Sequence, residues 1–278
     1  MAKRTSNNLR LRSVKPSAGL RDAYAKKLKS LVNRMAQDVA SRIQKLYQTE
    51  EPLIAVDAKD EKKLPAKKLQ KMLDDLRKKW EVEVFDFAEP TANWFVTKAS
   101  GYVDRAQNAA IKDAGILGFD IRFDKGTLSK DAFEALVSQN VSLIKSIGTK
   151  YLDDVEGSVM RAVTAGRDVA SLKEELSTRY GMTRRRAEFI ARDQCNKAIE
   201  GLARANDLET GVEEGVWIHV PGKKTSRESH RAMDGKKFDL SKGMYDREVG
   251  RYVMPGELPG CQCTYQPVLS KKIWKKLS

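Results

Sequence analysis

The stretch RAEFIARDQCNKAIEGLARAND, Arg186 to Asp207, decides how this chain folds. Ile190, Ala191, Gln194, Cys195, Ala198, Ile199 and Leu202 recur every three or four residues, the spacing that puts side chains on one face of an α-helix. Cys195 lies on that face and reads as a core thiol rather than a reactive one. Just upstream, Thr183 stands where it can cap the helix, which places Arg184, Arg185 and Arg186 in its first turn. Cations there oppose the helix macrodipole, at about 0.3 kcal/mol or more each. They are therefore expected to serve a contact outside the helix.

The helical texture extends upstream. Residues 130–182 read as three helices, broken at Gly148 and Gly166 and closed by Gly181. Earlier, Leu20, Tyr24, Leu28, Leu31, Met35, Val39, Ile43 and Leu46 form a long stripe that ends before Pro52. A charged connector, Thr49 to Ala66, leads to a second helix carrying Leu69, Met72, Leu73, Leu76 and Trp80. Pro90 is expected to interrupt it and to open a third helix, with Trp94, Phe95, Ala99, Val103, Ala106, Ala110 and Ile111 on its apolar side. Phe119 to Phe123 alternates and reads as a short extended piece.

Downstream of Gly211 the texture changes. VEEGVWIHV alternates as a strand does, and SRESHRAMDGKKF reads as a helical turn closed by Asp234-Gly235, a tight-turn pair. CQCTYQPVL reads as a closing strand. The expected fold is mainly α, a helical N-terminal and central region with a small C-terminal α+β domain. The expected segments are a disordered basic arm (1–16), a helical region (17–129), a domain at 130–269 and a basic tail (270–278). Within the domain, a helical stem at 130–211 carries a cap at 212–269.

Composition narrows the function. Of 278 residues, 41% are hydrophobic and 32% charged, enough apolar content for a core beneath a heavily charged surface. No apolar run approaches the roughly 20 residues of a membrane span, so a soluble, cytoplasmic protein is expected. Three cysteines make no disulfide framework. The net charge of +14 is concentrated at the ends: residues 1–50 hold 12 Lys/Arg against three acids, and residues 271–278 hold four Lys and no acid. Basic ends on a nearly neutral body fit a polyanion or an acidic partner. Lys3, Arg4, Arg10, Arg12, Lys15, Lys271, Lys272, Lys275 and Lys276 are the candidate contacts for DNA or an acidic surface.

Two histidines, His219 and His230, limit catalytic chemistry. Neither lies in a nucleophile-elbow or papain-like pattern. The carboxylates Asp234, Asp239, Asp246, Glu248 and Glu257 show no metal-nuclease spacing, and GKKTS at 222–226 lacks the upstream glycine of a phosphate loop. Cys261 and Cys263 admit several readings. A disulfide between i and i+2 is strained, because their Cα atoms sit near the roughly 6.8 Å limit for a bridge. Two small hydrophobes packed beside Tyr265 are the plain alternative. Together with His230 and His219 the thiols would make a Cys₂His₂ set suited to zinc, and residues i and i+2 of a strand face the same way.

In order and spacing, residues 140–268 resemble the phage Mu F-like head morphogenesis family, minor head proteins of tailed phages. The elements are Arg186-Ala-Glu188-Phe-Ile-Ala-Arg192-Asp-Gln194, the Trp217 strand, His230-x-x-Met-Asp234-Gly235, and Pro255-Gly256-Glu leading to Cys261-x-Cys263. Some members carry a second cysteine pair before the Asp-Gly turn, where this chain has KKTSRESH. The resemblance implies a non-enzymatic minor capsid protein inside the phage head, assembled in the host cytoplasm. Its partners would be the portal protein, scaffold or major capsid protein and packaged double-stranded DNA, bound without sequence preference. No cofactor is expected, with zinc held open. The other classes left open are a metal-dependent nucleic-acid-processing enzyme using His230 and Asp234, and a zinc-stabilised interaction module.

Overall fold

A computed structural model describes residues 4–5, 8–49, 65–115, 126–165, 169–221 and 226–270. Four long helices account for most of them: α1 (Ala18–Thr49), α2 (Pro65–Asp113), α3 (Thr127–Thr164) and α4 (Val169–Glu209). The mainly α expectation holds. No helix among the described residues is long and apolar enough to cross a membrane. The chain forms two compact units, neither of them a contiguous segment: residues 23–92 with 139–190, and residues 1–22 with 93–138 and 191–278.

The first unit is helical. The α1 stripe is buried as its spacing requires, with Tyr24, Leu28, Leu31, Met35, Val39 and Ile43 all but inaccessible. Three expected breaks are absent. α2 passes through Pro90, which lies on the exposed side between buried Ala88 and Ala92. Asp86, whose carbonyl loses its helical partner to Pro90, is an exposed residue, and the apolar stripe keeps its register. α3 passes through Gly148, where a Cβ would stand 2.8 Å from Val84 Cγ2 of α2. This glycine admits a close helix approach rather than ending a helix. α4 passes through Gly181, so Thr183 is no cap; its hydroxyl donates to the Arg179 carbonyl at 3.0 Å. Arg184, Arg185 and Arg186 therefore stand in mid-helix, and the macrodipole argument does not apply to them. Polar side chains tie the helices: Asp38 accepts from Trp80 Nε1 (2.9 Å) and Lys79 (2.8 Å), and buried Asn140 accepts from the Tyr24 hydroxyl at 2.9 Å.

The second unit joins the other helical segments to a sheet. Its strands are β1 (Arg4–Thr5), β2 (Asn8–Arg10), β3 (Glu214–Ile218), β4 (Lys237–Asp239), β5 (Met244–Asp246), β6 (Arg251–Val253) and β7 (Thr264–Leu269), and α5 (Glu228–Met233) lies between β3 and β4. Five strands form a sheet in the order β1-β2-β7-β3-β4, with every pair antiparallel, and β5 and β6 form a separate hairpin. β3 and β7 register Trp217 against Tyr265. Trp217, Phe238 and Tyr265 then stack edge to face, at centroid distances of 5.7 and 6.1 Å. The expected strand, helical turn and closing strand are all present. Cys261 and Cys263, however, precede β7 rather than lying in it.

The disordered arm is overturned for its described part. Leu9 and Arg10 pair with Leu269 and Val268, and the Leu11 amide donates to the Pro267 carbonyl at 3.0 Å. Leu11 and Val14 are buried. The physical reason is the alternation Leu9-Arg10-Leu11-Arg12, a half-buried strand pattern within a basic segment. It covers the β7 edge, which would otherwise present unpaired amides and carbonyls. The connector at 50–64, the extended piece at 119–123 and the Lys271–Lys276 tail lie outside the described residues.

Candidate metal centre

The cap holds one cluster of potential metal ligands among the described residues: His230, Cys261 and Cys263, whose donor atoms all lie within 4.8 Å of one another. Two separate pieces of backbone carry them, each fastened by other elements. His230 sits on α5, fastened by the turn behind it. Gly235, at φ 73°, donates from its amide to the Trp217 carbonyl at 2.9 Å, and Trp217 returns a bond to the Lys236 carbonyl at 2.9 Å. Asp234 Oδ1 accepts from the His219 amide at 2.8 Å, which fixes where β3 delivers His219. The cysteine segment is held from α4. Asp193 accepts from the Gly260 amide at 2.7 Å, and Asn196 donates to the Cys261 carbonyl at 3.1 Å. Gly256, at φ 77°, runs so close to α4 that a Cβ would meet Glu200 Cγ at 2.9 Å.

Within the cluster, His230 Nδ1 lies 3.4 Å from Cys261 Sγ and 3.6 Å from Cys263 Sγ. His219 Nδ1 lies 3.5 Å from Cys263 Sγ. On its other side, His230 Nε2 stands 3.2 Å from Asp246 Oδ2, off the line of a hydrogen bond, and neither atom has another partner. The cluster is closed to solvent: His230, Cys261 and Cys263 are 2%, 4% and 3% exposed, and Asp246 is 0%. Burial works against an imidazolium, but Cys261 and Asp246 outweigh it and raise the His230 pKa above its ordinary value. The neighbouring Cys263 thiol and the His230 ring favour the Cys261 thiolate and lower its pKa despite burial. Cys263 moves the other way, because its thiol would have to ionise beside that thiolate. The arrangement thus favours negative charge on the Cys261 sulfur and positive charge on the His230 ring. Chemically it suits a soft divalent ion; as a nucleophile it is walled off.

The carboxylates weighed for hydrolysis are spread over local turns. Asp239 accepts from the Ser241 amide, Asp246 from the Glu248 amide, Glu248 from the Ser229 amide and Glu257 from the Met254 amide. Each holds a loop, and they do not converge. The remaining motif residues divide by location. Trp217, Gln194, Pro255, Gly256 and Gly235 belong to the cap or the helix beneath it. Arg186 and Glu188 lie on the exposed side of α4, at 3.2 Å from Ser146 and 3.0 Å from Lys29 respectively, and Arg192 is exposed. Cys195 is buried, 3.5 Å from the Ser17 carbonyl, with burial pushing its thiol up to about 11. Arg12 is paired with Asp113 at 3.2 Å and Lys15 is exposed.

The sequence reading missed the polar face of α4. Asp193, Asn196, Glu200, Asn206 and Asp207 are all buried. Asp207 accepts from the Tyr265 hydroxyl at 2.6 Å and from Gln107 at 2.9 Å. The spacing of 193, 196, 200 and 207 is helical, so a polar stripe was there to be found beside the apolar one.

Residues 153–266 match the family model described as phage Mu protein F like protein. The match covers less than half of the chain and is a likeness of that segment. The matched segment includes His219, His230, Asp246, Cys261 and Cys263, and all of α4; β2, which pairs with β7, lies outside it. An uncharacterized protein of Haemophilus influenzae is 29% identical over 246 residues, 88% of this chain and 52% of the relative. The chain thus spans about half the length of that relative. No solved structure matches.

Proposed function

We propose that this protein is a minor head protein of a tailed phage, acting in head morphogenesis by binding and positioning rather than turnover. The observation that carries this reading is the phage Mu protein F-like match over residues 153–266. Its burial pattern supports a non-enzymatic role: the Cys261 and Cys263 thiols are sealed in the cap, and the cap carboxylates are committed to turns. The partners we propose are the portal protein, with scaffold or major capsid protein, and packaged double-stranded DNA. The place of action is the phage head, assembled in the host cytoplasm.

Two experiments test this. Phage heads purified from a producing lysate should contain the chain in few copies, co-purifying with portal protein; its absence from procapsids and mature heads overturns the reading. Incubation with plasmid and Mg²⁺ or Mn²⁺ should leave the DNA intact; cleavage lost in His230→Ala would make the protein a nuclease instead.

Residues 8–14 help to build the sheet, so the proposed DNA contacts are tested by side-chain replacement. Charge-neutral replacement of Lys3, Arg4, Lys15, Lys271, Lys272, Lys275 and Lys276 should weaken DNA binding and flatten its salt dependence. The log–log slope should fall by about 0.9 for each phosphate that is no longer neutralised. An unchanged slope removes the basic ends from the interface.

A further inference from the structure

Four donors on three backbone segments converge in the cap: His219 after β3, His230 on α5, and Cys261 and Cys263 ahead of β7. We propose that these four side chains bind a zinc ion, which clasps β3 and α5 to the closing strand. Such a site stands or falls independently of the head-protein role.

Distance is the first argument. With Zn–S of about 2.3 Å and Zn–N of about 2.0–2.1 Å, the sulfur–nitrogen edge of a tetrahedral site is about 3.5–3.6 Å. The three sulfur–nitrogen separations are 3.4, 3.6 and 3.5 Å. Valence is the second. One nitrogen, His230 Nδ1, faces both sulfurs, yet a ring nitrogen has a single proton or a single lone pair to offer. An ion between the three serves all of them. His219 Nδ1 lies outside the 4.8 Å group of the other donors, and this half-buried ring is the outer ligand, closing the tetrahedron by rotating.

The surroundings complete the fit. Metal on Nδ1 fixes the proton of His230 on Nε2, facing buried Asp246 at 3.2 Å. A ligating histidine backed by a carboxylate is a recurrent zinc arrangement. It also gives a role to two buried polar atoms that otherwise have no hydrogen-bond partner. Two thiolates neutralise Zn²⁺, so the buried site carries no uncompensated metal charge. Sulfur and imidazole donors select zinc over Mg²⁺ or Ca²⁺, which take oxygen.

The test uses the full chain, purified without added metal or chelator. Elemental analysis should find about one zinc per chain. Replacement by cobalt should give thiolate-to-cobalt charge transfer and the intense visible bands of a tetrahedral ion, a readout that needs no variant. Cys261→Ser and Cys263→Ser should lose the zinc, while Cys195→Ser keeps it. Asp246→Asn should weaken zinc binding about 10–100-fold, and His219→Ala should weaken it measurably. Zinc well below stoichiometric, with no thiolate-to-cobalt band in the wild-type chain, overturns the proposal. An affinity unchanged in His219→Ala overturns the four-ligand assignment.

Discussion

The two units of this molecule are held together by different means. In the helical unit, one periodic pattern dominates: apolar side chains every three or four residues along α1 and α2, buried almost completely. In the cap-bearing unit the contacts come from residues far apart in sequence, and many are polar: Tyr265 with Asp207, Asn196 with the Cys261 carbonyl, Asp193 with the Gly260 amide. A periodic core tolerates local irregularity, as α2 does at Pro90. A small cap assembled from single long-range contacts depends on each of them.

The sharpest way to break this contrast is at Trp217, which is fully buried against His230 and Phe238. Trp217→Ala should cost about 3–5 kcal/mol in chemical denaturation. Near-UV dichroism should show the cap losing its fixed packing while most far-UV helicity persists.

A comparable effect should appear with pH. Burial raises the Asp207 carboxyl to about 7 against the donors Tyr265 and Gln107, whereas an unfolded Asp titrates near about 3.9. A raised acid favours the fold while protonated. Its contribution is therefore fully present below pH ~4 and is lost as pH rises through ~7, on the order of 4 kcal/mol in all. Glu200, raised by burial, pushes the same way. Urea denaturation at pH 4.5 and 8 should show this loss for the wild type and a smaller one for Asp207→Asn. Equal pH dependence would show that Asp207 titrates normally.

Next in size is Leu11, buried in the cap core beside Tyr265 and Leu269. Leu11→Ala should cost about 2–3 kcal/mol, toward the low end for a buried leucine. A stability change near zero would restore a free N-terminal arm.

Two glycines should move stability in opposite directions. Gly148→Ala forces a Cβ to within 2.8 Å of Val84 Cγ2 and should cost about 1–3 kcal/mol. Gly181→Ala places a Cβ no nearer than 3.9 Å to Arg185 and should gain about 0.5–1 kcal/mol. Melting temperatures of the pair decide it.

The smallest effect is expected at Glu188, whose ion pair with Lys29 lies at the surface. Glu188→Gln should change stability by no more than about 0.5 kcal/mol. A larger loss would give this motif residue a structural role.

What could be read in advance follows from the same contrast. The helix stripes were legible because helical spacing is local: residues three and four apart meet whatever the rest of the chain does. For the same reason the Trp217 strand, the Asp234-Gly235 turn and the buried face of Cys195 were visible. The glycines at 148 and 181 misled because intrinsic propensity is a weak force beside packing across a whole helix. Leu9 and Leu11 were hidden in a basic segment because two alternating residues are too short a signal, and their partner strand lies some 260 residues away. Asp246 had no signal at all, since no spacing links it to His230.

By itself, then, the sequence determined the helical class, the place where helix gives way to cap, and a family resemblance whose motif contains two cysteines and one histidine. Tertiary structure alone decided which glycines bend the chain, that the N-terminal residues complete a sheet, and that one histidine nitrogen faces both thiols with a buried aspartate behind it. The physical reason is range. Backbone preference and periodicity act within a turn or two, whereas edge pairing, close helix approach and a ligand cluster exist only when distant segments meet.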